Sequence, residues 1–125
     1  MERTVIMRPD AKGLTDPFSY GVRWGDLLFV SSQSPAFDAV GFEAQCRSVL
    51  DKVGVVHRLA GTDYAYVLRC GIYLRDMSSF GPFNRIYREY FTKDFPARTT
   101  LQAPSLSERI LVAMDCIAGI PAKAP

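Results

Sequence analysis

An α+β fold, one mixed sheet with two helices packed on one face, is predicted by three observations. Strand-like segments stand before, between and after only two stretches of helical periodicity. The last strand-like segment is apolar on both of its faces. The chain of 125 residues is long enough for one core, since a domain of this size buries roughly two-thirds of its unfolded surface, and too short for two. The whole chain, 1–125, is therefore read as a single domain.

Residues 3–7 (Arg-Thr-Val-Ile-Met) form a short first strand before a turn region at Pro9–Gly13. Phe18–Trp24 and Leu27–Gln33 are predicted as two strands joined by a hairpin turn at Gly25-Asp26, and Ser34-Pro35 ends the second. Between Gly41 and Ala60, Phe42, Cys46, Val49, Val53, Val56 and Ala60 recur at spacings of four and three, which is an amphipathic helix; Gly61 stops it. Tyr66–Arg75 follows as a strand. Ser79 is placed to cap a second helix with Pro82 in its first turn, carrying Phe83, Tyr87, Tyr90 and Phe91, and Pro96 ends the region. Arg98–Gln102 and Ile110–Ile117 are the closing strands, and 121–125 is a frayed tail.

Two strands bear on assembly. Ile110, Val112, Met114 and Cys116 alternate with Leu111, Ala113, Asp115 and Ile117, so both faces are mostly apolar. In the preceding strand Leu68, Cys70, Ile72 and Leu74 share one face, and Val67, Gly71 and Tyr73 the other. Two helices cover only one face of such a sheet. The other face is expected to be covered by another subunit, because soluble monomers seldom expose so large an apolar patch.

Composition narrows the function classes. Fifteen basic residues against thirteen acidic ones give a net charge of +2, with no basic run, which argues against a nucleic-acid footprint. No apolar stretch approaches the roughly 20 residues of a spanning helix, and no signal-type run follows the N-terminus. Cys46, Cys70 and Cys116 are odd in number and lack metal-site spacing, which points to a reducing, cytoplasmic setting and to no metal. The single histidine, His57, falls within a helical pattern, at the edge of the core, with no nucleophile motif beside it. No glycine-rich phosphate fingerprint is present. An enzyme of this composition works with carboxylate, guanidinium and backbone groups.

Three polar residues stand out of pattern. Asp115 interrupts an apolar strand, so its carboxylate must be paired, hydrogen-bonded or at a cleft. Asn84 is alone on an aromatic helix, and Arg98 opens a strand after Phe95-Pro96-Ala97. Taken singly, Asp115 is equally compatible with a structural ion pair and Asn84 with a helix-to-loop hydrogen bond, and Arg98 reads first as a surface charge.

The strings around them resemble the reactive-intermediate deaminase family of the RidA/YjgF type. Phe95-Pro96-Ala97-Arg98-Thr99-Thr100 resembles the family's arginine signature, and Asn84-Arg85-Ile86-Tyr87-Arg88-Glu89-Tyr90-Phe91 its asparagine-bearing helix. Leu74-Arg75-Asp76-Met77-Ser78-Ser79-Phe80 is similar to its strand-to-helix corner, and Gly25-Asp26-Leu27-Leu28-Phe29-Val30-Ser31 to its second strand. The resemblance spans residues 15–119. It implies a chorismate-mutase-like fold assembled as a homotrimer, sheets inward around a central β-barrel-like core, with ligand clefts between neighbouring subunits. It also implies cofactor-independent hydrolysis of enamines and imines such as 2-aminoacrylate or 2-iminobutyrate to the keto acid and ammonia, the activity of a 2-iminobutanoate/2-iminopropanoate deaminase.

By that resemblance Arg98 clamps the substrate carboxylate, a task for which a planar guanidinium suits better than an ammonium. The Thr100 carbonyl accepts a hydrogen bond from the substrate nitrogen, and Asp115 holds the attacking water. Phe18, Ser31, Ser32 and Asn84 fall where the family lines its cleft. Several positions depart from the family pattern. Phe18 stands where Tyr is usual, Tyr20 where Gln is common, and Ser32 in place of Gly. Asp115 replaces a longer Glu, and Ala113 another acid. These changes favour, as an alternative, a relative specialised for one pathway enamine (aminomuconate-type or secondary-metabolic); a further alternative, against which Arg98 argues, is a non-catalytic trimeric module that binds small carboxylates or a partner protein.

Overall fold

A computed structural model describes residues 2–9 and 16–122. In chain order it contains β1 (Arg3–Ile6), β2 (Gly21–Trp24), β3 (Leu27–Gln33), α1 (Phe42–Ala60), β4 (Val67–Leu74), α2 (Phe80–Tyr90), β5 (Ala97–Gln102) and β6 (Val112–Gly119). The six strands form one sheet in the order β1-β2-β3-β6-β4-β5. Only the β4–β5 pair is parallel, so the sheet is mixed, as expected. A parallel pair needs a crossover, and α2 provides it.

Both helices lie on one face. Leu28 and Val30 of β3, Cys70, Ile72 and Leu74 of β4, and the even-numbered residues 112–118 of β6 are buried beneath them. From α1, Cys46, Val49, Leu50, Val53 and Val56 fill the same layer, and Phe83 and Tyr87 enter it from α2. Gly61 ends α1 in the left-handed conformation at φ 87°, where a side chain would be strained, and its N–H donates to the Arg58 carbonyl. Gly25, at φ 59°, makes the two-residue β2–β3 turn possible.

The opposite face is open. Leu27 and Phe29 are 38% and 44% exposed, and Leu101 is 53% exposed. Together with Ile117 they form the apolar surface that the two-faced strand pattern anticipates.

Several boundaries differ from the sequence expectations. Phe18 and Ser19 stay out of the ladder: Tyr20 makes the last backbone bond, its carbonyl accepting from the Ser31 N–H at 2.9 Å, and the Ser19 carbonyl is taken by the Ser31 hydroxyl at 2.6 Å. β6 begins at Val112 because the residues before it are held elsewhere: the Leu111 N–H donates to Gln45 Oε1 and the Ile110 carbonyl accepts from Arg75 Nε. Ser79 makes no capping bond; instead Asp76 accepts from the Ser78 N–H and opens a short 3₁₀ turn, Met77–Ser79, that leads into α2. A register shift between Val67 and Arg69 puts Val67 under the helices and leaves Leu68 exposed, the reverse of simple alternation. His57 is fully buried rather than at the core edge, with Nε2 3.3 Å from Cys116 Sγ. The turn region at Pro9–Gly13 lies largely outside the described residues, as do residues 123–125 of the tail.

Candidate functional site

Arg98 sits on β5 with its side chain on the helix-covered face, in register with Cys70 of β4. Its guanidinium is enclosed by three rings of α2. The central carbon lies 4.7 Å from the Tyr87 ring centre, 5.1 Å from Phe83 and 5.4 Å from Phe80. Each ring face attracts the cation, but none accepts its N–H groups in the plane of the guanidinium. Nε donates to Thr100 Oγ1 at 2.8 Å, whereas Nη2 is buried without any acceptor in the protein. Burial pulls the Arg98 pKa below its ordinary value, and the group still carries its charge at neutral pH. A half-buried cation whose buried Nη2 has no acceptor is suited to receive an anion.

The other open valence is on the neighbouring helix. Asn84 Oδ1 is buried and has no hydrogen-bond partner. Asn84 and Arg98 line the same pocket, about 460 Å³ in volume, whose walls include Phe80, Tyr87, Phe95 and Pro96. Arg88, one turn beyond Asn84 on α2, stands at its rim with its guanidinium 5.7 Å from the Phe95 ring centre. Thr100 lies on the pocket wall. The Ala103 N–H donates to the Leu74 carbonyl, and backbone direction alternates along a strand, so the Thr100 carbonyl points away from β4 at the free edge of the sheet. That is the orientation a carbonyl needs to accept from a ligand.

Asp115 lies elsewhere. It is on β6 and points to the open face, opposite to Arg98. Its Oδ2 accepts a 2.7 Å hydrogen bond from Tyr73 Oη. That bond, followed by burial, raises the Tyr73 pKa. Both side chains lie over Gly71, where an added Cβ would come within 2.5 Å of Asp115 Oδ1 and 2.9 Å of Tyr73 Oη. Tyr73 was not among the candidates drawn from the sequence. The signal for it was present, since Gly71, Tyr73 and Asp115 fall on the same faces of adjacent strands.

The remaining candidates gather on the β2–β3 side. Ser31, at the β3 bulge, donates its hydroxyl to Ser19 and keeps its oxygen as an acceptor. Ser32 is exposed beside it, and Phe18 is 51% exposed with its ring edge-on to Tyr20 at 6.4 Å. The fold thus brings Arg98, Thr100 and Asn84 together at one pocket. Asp115 joins Tyr73 on the other side of the sheet, and Phe18, Ser31 and Ser32 sit apart from the Arg98 pocket. No group of three or more metal-ligating side chains occurs among the described residues.

The family model described as Endoribonuclease L-PSP matches residues 8–120. A RutC family protein of Saccharolobus solfataricus is 32% identical over 122 residues, covering 93% of this chain and 97% of the relative. Reactive Intermediate Deaminase A, chloroplastic, of Arabidopsis thaliana is 28% identical over 124 residues, covering 94% of this chain and 66% of the relative. Among solved structures, the Rid-family protein YyfA of Yersinia pestis superposes with a TM-score of 0.87 at 28% identity, covering 95% and 100% of the two chains. The YjgF product of E. coli superposes at 0.81 with 25% identity, covering 93% and 98%.

Proposed function

We propose, from the premise that this chain belongs to the RidA/YjgF family whose model is described as Endoribonuclease L-PSP, that it hydrolyses the C=N bond of small imino and enamine carboxylates. The observation that carries the reading is the Arg98 guanidinium, enclosed by three rings with Nη2 lacking an acceptor. A substrate carboxylate supplies that acceptor and neutralises the half-buried charge. The imino nitrogen then lies within reach of the Thr100 carbonyl and Asn84 Oδ1, both acceptors, which favour the protonated and more electrophilic iminium. Water adds to the imine carbon, the C–N bond of the resulting carbinolamine breaks, and the products are the keto acid and ammonia. An enamine reaches the same path after protonation at carbon. Positioning supplies most of the catalysis, since the iminium is already electrophilic, and the reaction consumes only water.

Asp115 is assigned to orient that water. In one chain it faces away from Arg98, so the assignment requires the Asp115 of a neighbouring copy. The exposed apolar face of the sheet supports such an assembly, a homotrimer with sheets inward in a barrel-like core and clefts between subunits. Phe18, Ser31 and Ser32 would line the cleft from the neighbour's side. An endoribonuclease reading, which the family description carries, calls for side chains that move protons at the ribose and the leaving oxygen. The chain's one histidine is buried against Cys116 with its pKa lowered to about 4 by burial, so it is neither exposed nor charged for that work.

The test generates 2-iminobutyrate in place with an amino acid oxidase and follows competition between hydrolysis and trapping by semicarbazide. The protein should accelerate hydrolysis, and Arg98→Ala should lose that acceleration. A folded wild-type protein that leaves the trapping yield unchanged would refute the reading.

A further inference from the structure

The Arg98 pocket is larger and more cationic than a short imino acid requires. Within one chain it is an open pocket of about 460 Å³, with room beside Arg98 for more than one carboxylate. One end is built for a first carboxylate at Arg98, whose Nη2 lacks an acceptor, with the open acceptor Asn84 Oδ1 left for the substrate nitrogen. The rim carries a second guanidinium, Arg88, which shares a face of α2 with Asn84 one turn away, about 6 Å along the axis. Phe95 lies beneath it and keeps one of its sides away from bulk water.

The local charges leave Arg88 uncommitted. Its neighbour in sequence, Glu89, is turned to Arg47, whose Nη2 is 2.9 Å from Glu89 Oε2, and Arg47 also binds Glu43. Arg88 forms no ion pair among the described residues. Two guanidinium groups therefore line one pocket, and no carboxylate lines it with them. A monocarboxylate would satisfy only Arg98.

We infer that the preferred substrate is an imino or enamine acid bearing a second carboxylate, which Arg88 binds at the pocket rim. This rests on the C=N hydrolysis proposed above and adds its substrate class. In this assignment the first carboxylate sits on Arg98 and the second reaches Arg88 across the wall that Phe95 and Pro96 form, and a glutarate-length diacid serves as the probe. Arg88 acts here as a specificity residue and touches none of the reacting atoms.

The test compares 2-iminoglutarate with 2-iminobutyrate, each generated by an oxidase, in the wild type, Arg88→Gln and Arg88→Lys. The wild type should favour the diacid in kcat/KM, and Arg88→Gln should lower that preference at least tenfold, as expected for a lost charge-assisted hydrogen bond. Arg88→Lys should retain part of it. A change of equal size on both substrates, or an unaltered ratio, would overturn the assignment. Equilibrium binding of the stable products 2-oxoglutarate and 2-oxobutyrate provides a readout independent of turnover. If the wild type hydrolyses neither imine, the proposed reaction fails. The Arg88 assignment then stands or falls on whether binding favours 2-oxoglutarate and loses that preference in Arg88→Gln.

Discussion

The separation of Arg98 and Asp115 on opposite faces of the sheet makes a quantitative prediction for mixed assemblies. Under the proposed mechanism, Arg98→Ala takes the carboxylate clamp from one half of a shared site, and Asp115→Asn takes the water-orienting acid from the other. Arg98→Ala should lower the rate by roughly 10²-fold or more, from loss of two charge-assisted hydrogen bonds. Asp115→Asn should lower it by roughly 10²-fold, the usual worth of a positioned acid or base. Each parent is then nearly inactive. The two variants, carrying different affinity tags, are co-expressed and trimers bearing both tags are isolated. In a closed three-fold ring every site joins the Arg98 half of one copy to the Asp115 half of the next. A mixed trimer of either 2:1 composition therefore holds one site with both halves intact, and its activity should be about a third of wild type. That is far above either parent. Mixed trimers no more active than their parents would refute the shared site, as would a stable monomer in sedimentation. An Asp115→Asn homotrimer with wild-type turnover would remove Asp115 from the mechanism.

Arg98→Lys should fail to restore hydrolysis in the imine assay, because an ammonium cannot present two parallel donors to a carboxylate. Tyr73→Phe and Gly71→Ala should each lower kcat on 2-iminobutyrate several-fold with little change in melting temperature, the first by releasing Asp115 and the second by pushing a Cβ into the Tyr73–Asp115 pair; unchanged kcat in both would show that this pair is not part of the site. Because burial lowers the His57 pKa from 6.5 to about 4, the unfolded chain takes up a proton that the folded one refuses as pH falls through that window. Stability is thus intact above pH 6.5 and declines toward pH 4 by on the order of 3 kcal/mol. His57→Leu should flatten that decline in a series of thermal melts, and an equally steep decline in the variant would assign acid sensitivity to other groups.

The fold was largely legible because its signals are local and periodic. The helix over Phe42–Ala60 announces itself by apolar residues every three to four positions and a terminal glycine, and β3 by its alternation and the Gly25-Asp26 turn. Two of the misplacements lie where a non-local hydrogen bond outweighs local preference. Gln45, on α1, takes the backbone of Leu111 more than sixty residues away and delays the start of β6. Ser31 captures the Ser19 carbonyl and shortens β2. Neither event has a signature in the segment it alters. The bulge at Val67 belongs to the same class, since register is a property of a strand pair rather than of one strand.

The candidate site divides along the same line. Arg98, Asn84 and Thr100 could be drawn from strings because each lies in a continuous segment with its own character, and the fold gathers them at one pocket. Of the three rings around Arg98, Phe83 and Tyr87 were visible only as part of an aromatic helix face, for which core packing accounts equally well, and Phe80 only as the end of the strand-to-helix corner. What separates a packing stripe from a binding wall is the guanidinium that β5 delivers against it, a tertiary fact. Asp115 is the converse case: conspicuous in sequence as a carboxylate among apolar residues, yet its partner Tyr73 and the space left by Gly71 lie on another strand. An acid kept on the uncovered, mostly apolar face of a sheet is hard to account for within one chain. On that face it is exposed to whatever covers the sheet, and a hydrophobic subunit contact alone would select against it. Its retention beside a hydrogen-bond donor is intelligible if the same contact that buries Leu27, Phe29 and Leu101 also brings the carboxylate to a neighbour's Arg98 pocket. Assembly and catalysis would then draw on one surface, and substitutions that weaken the apolar contact should lower turnover along with oligomer stability.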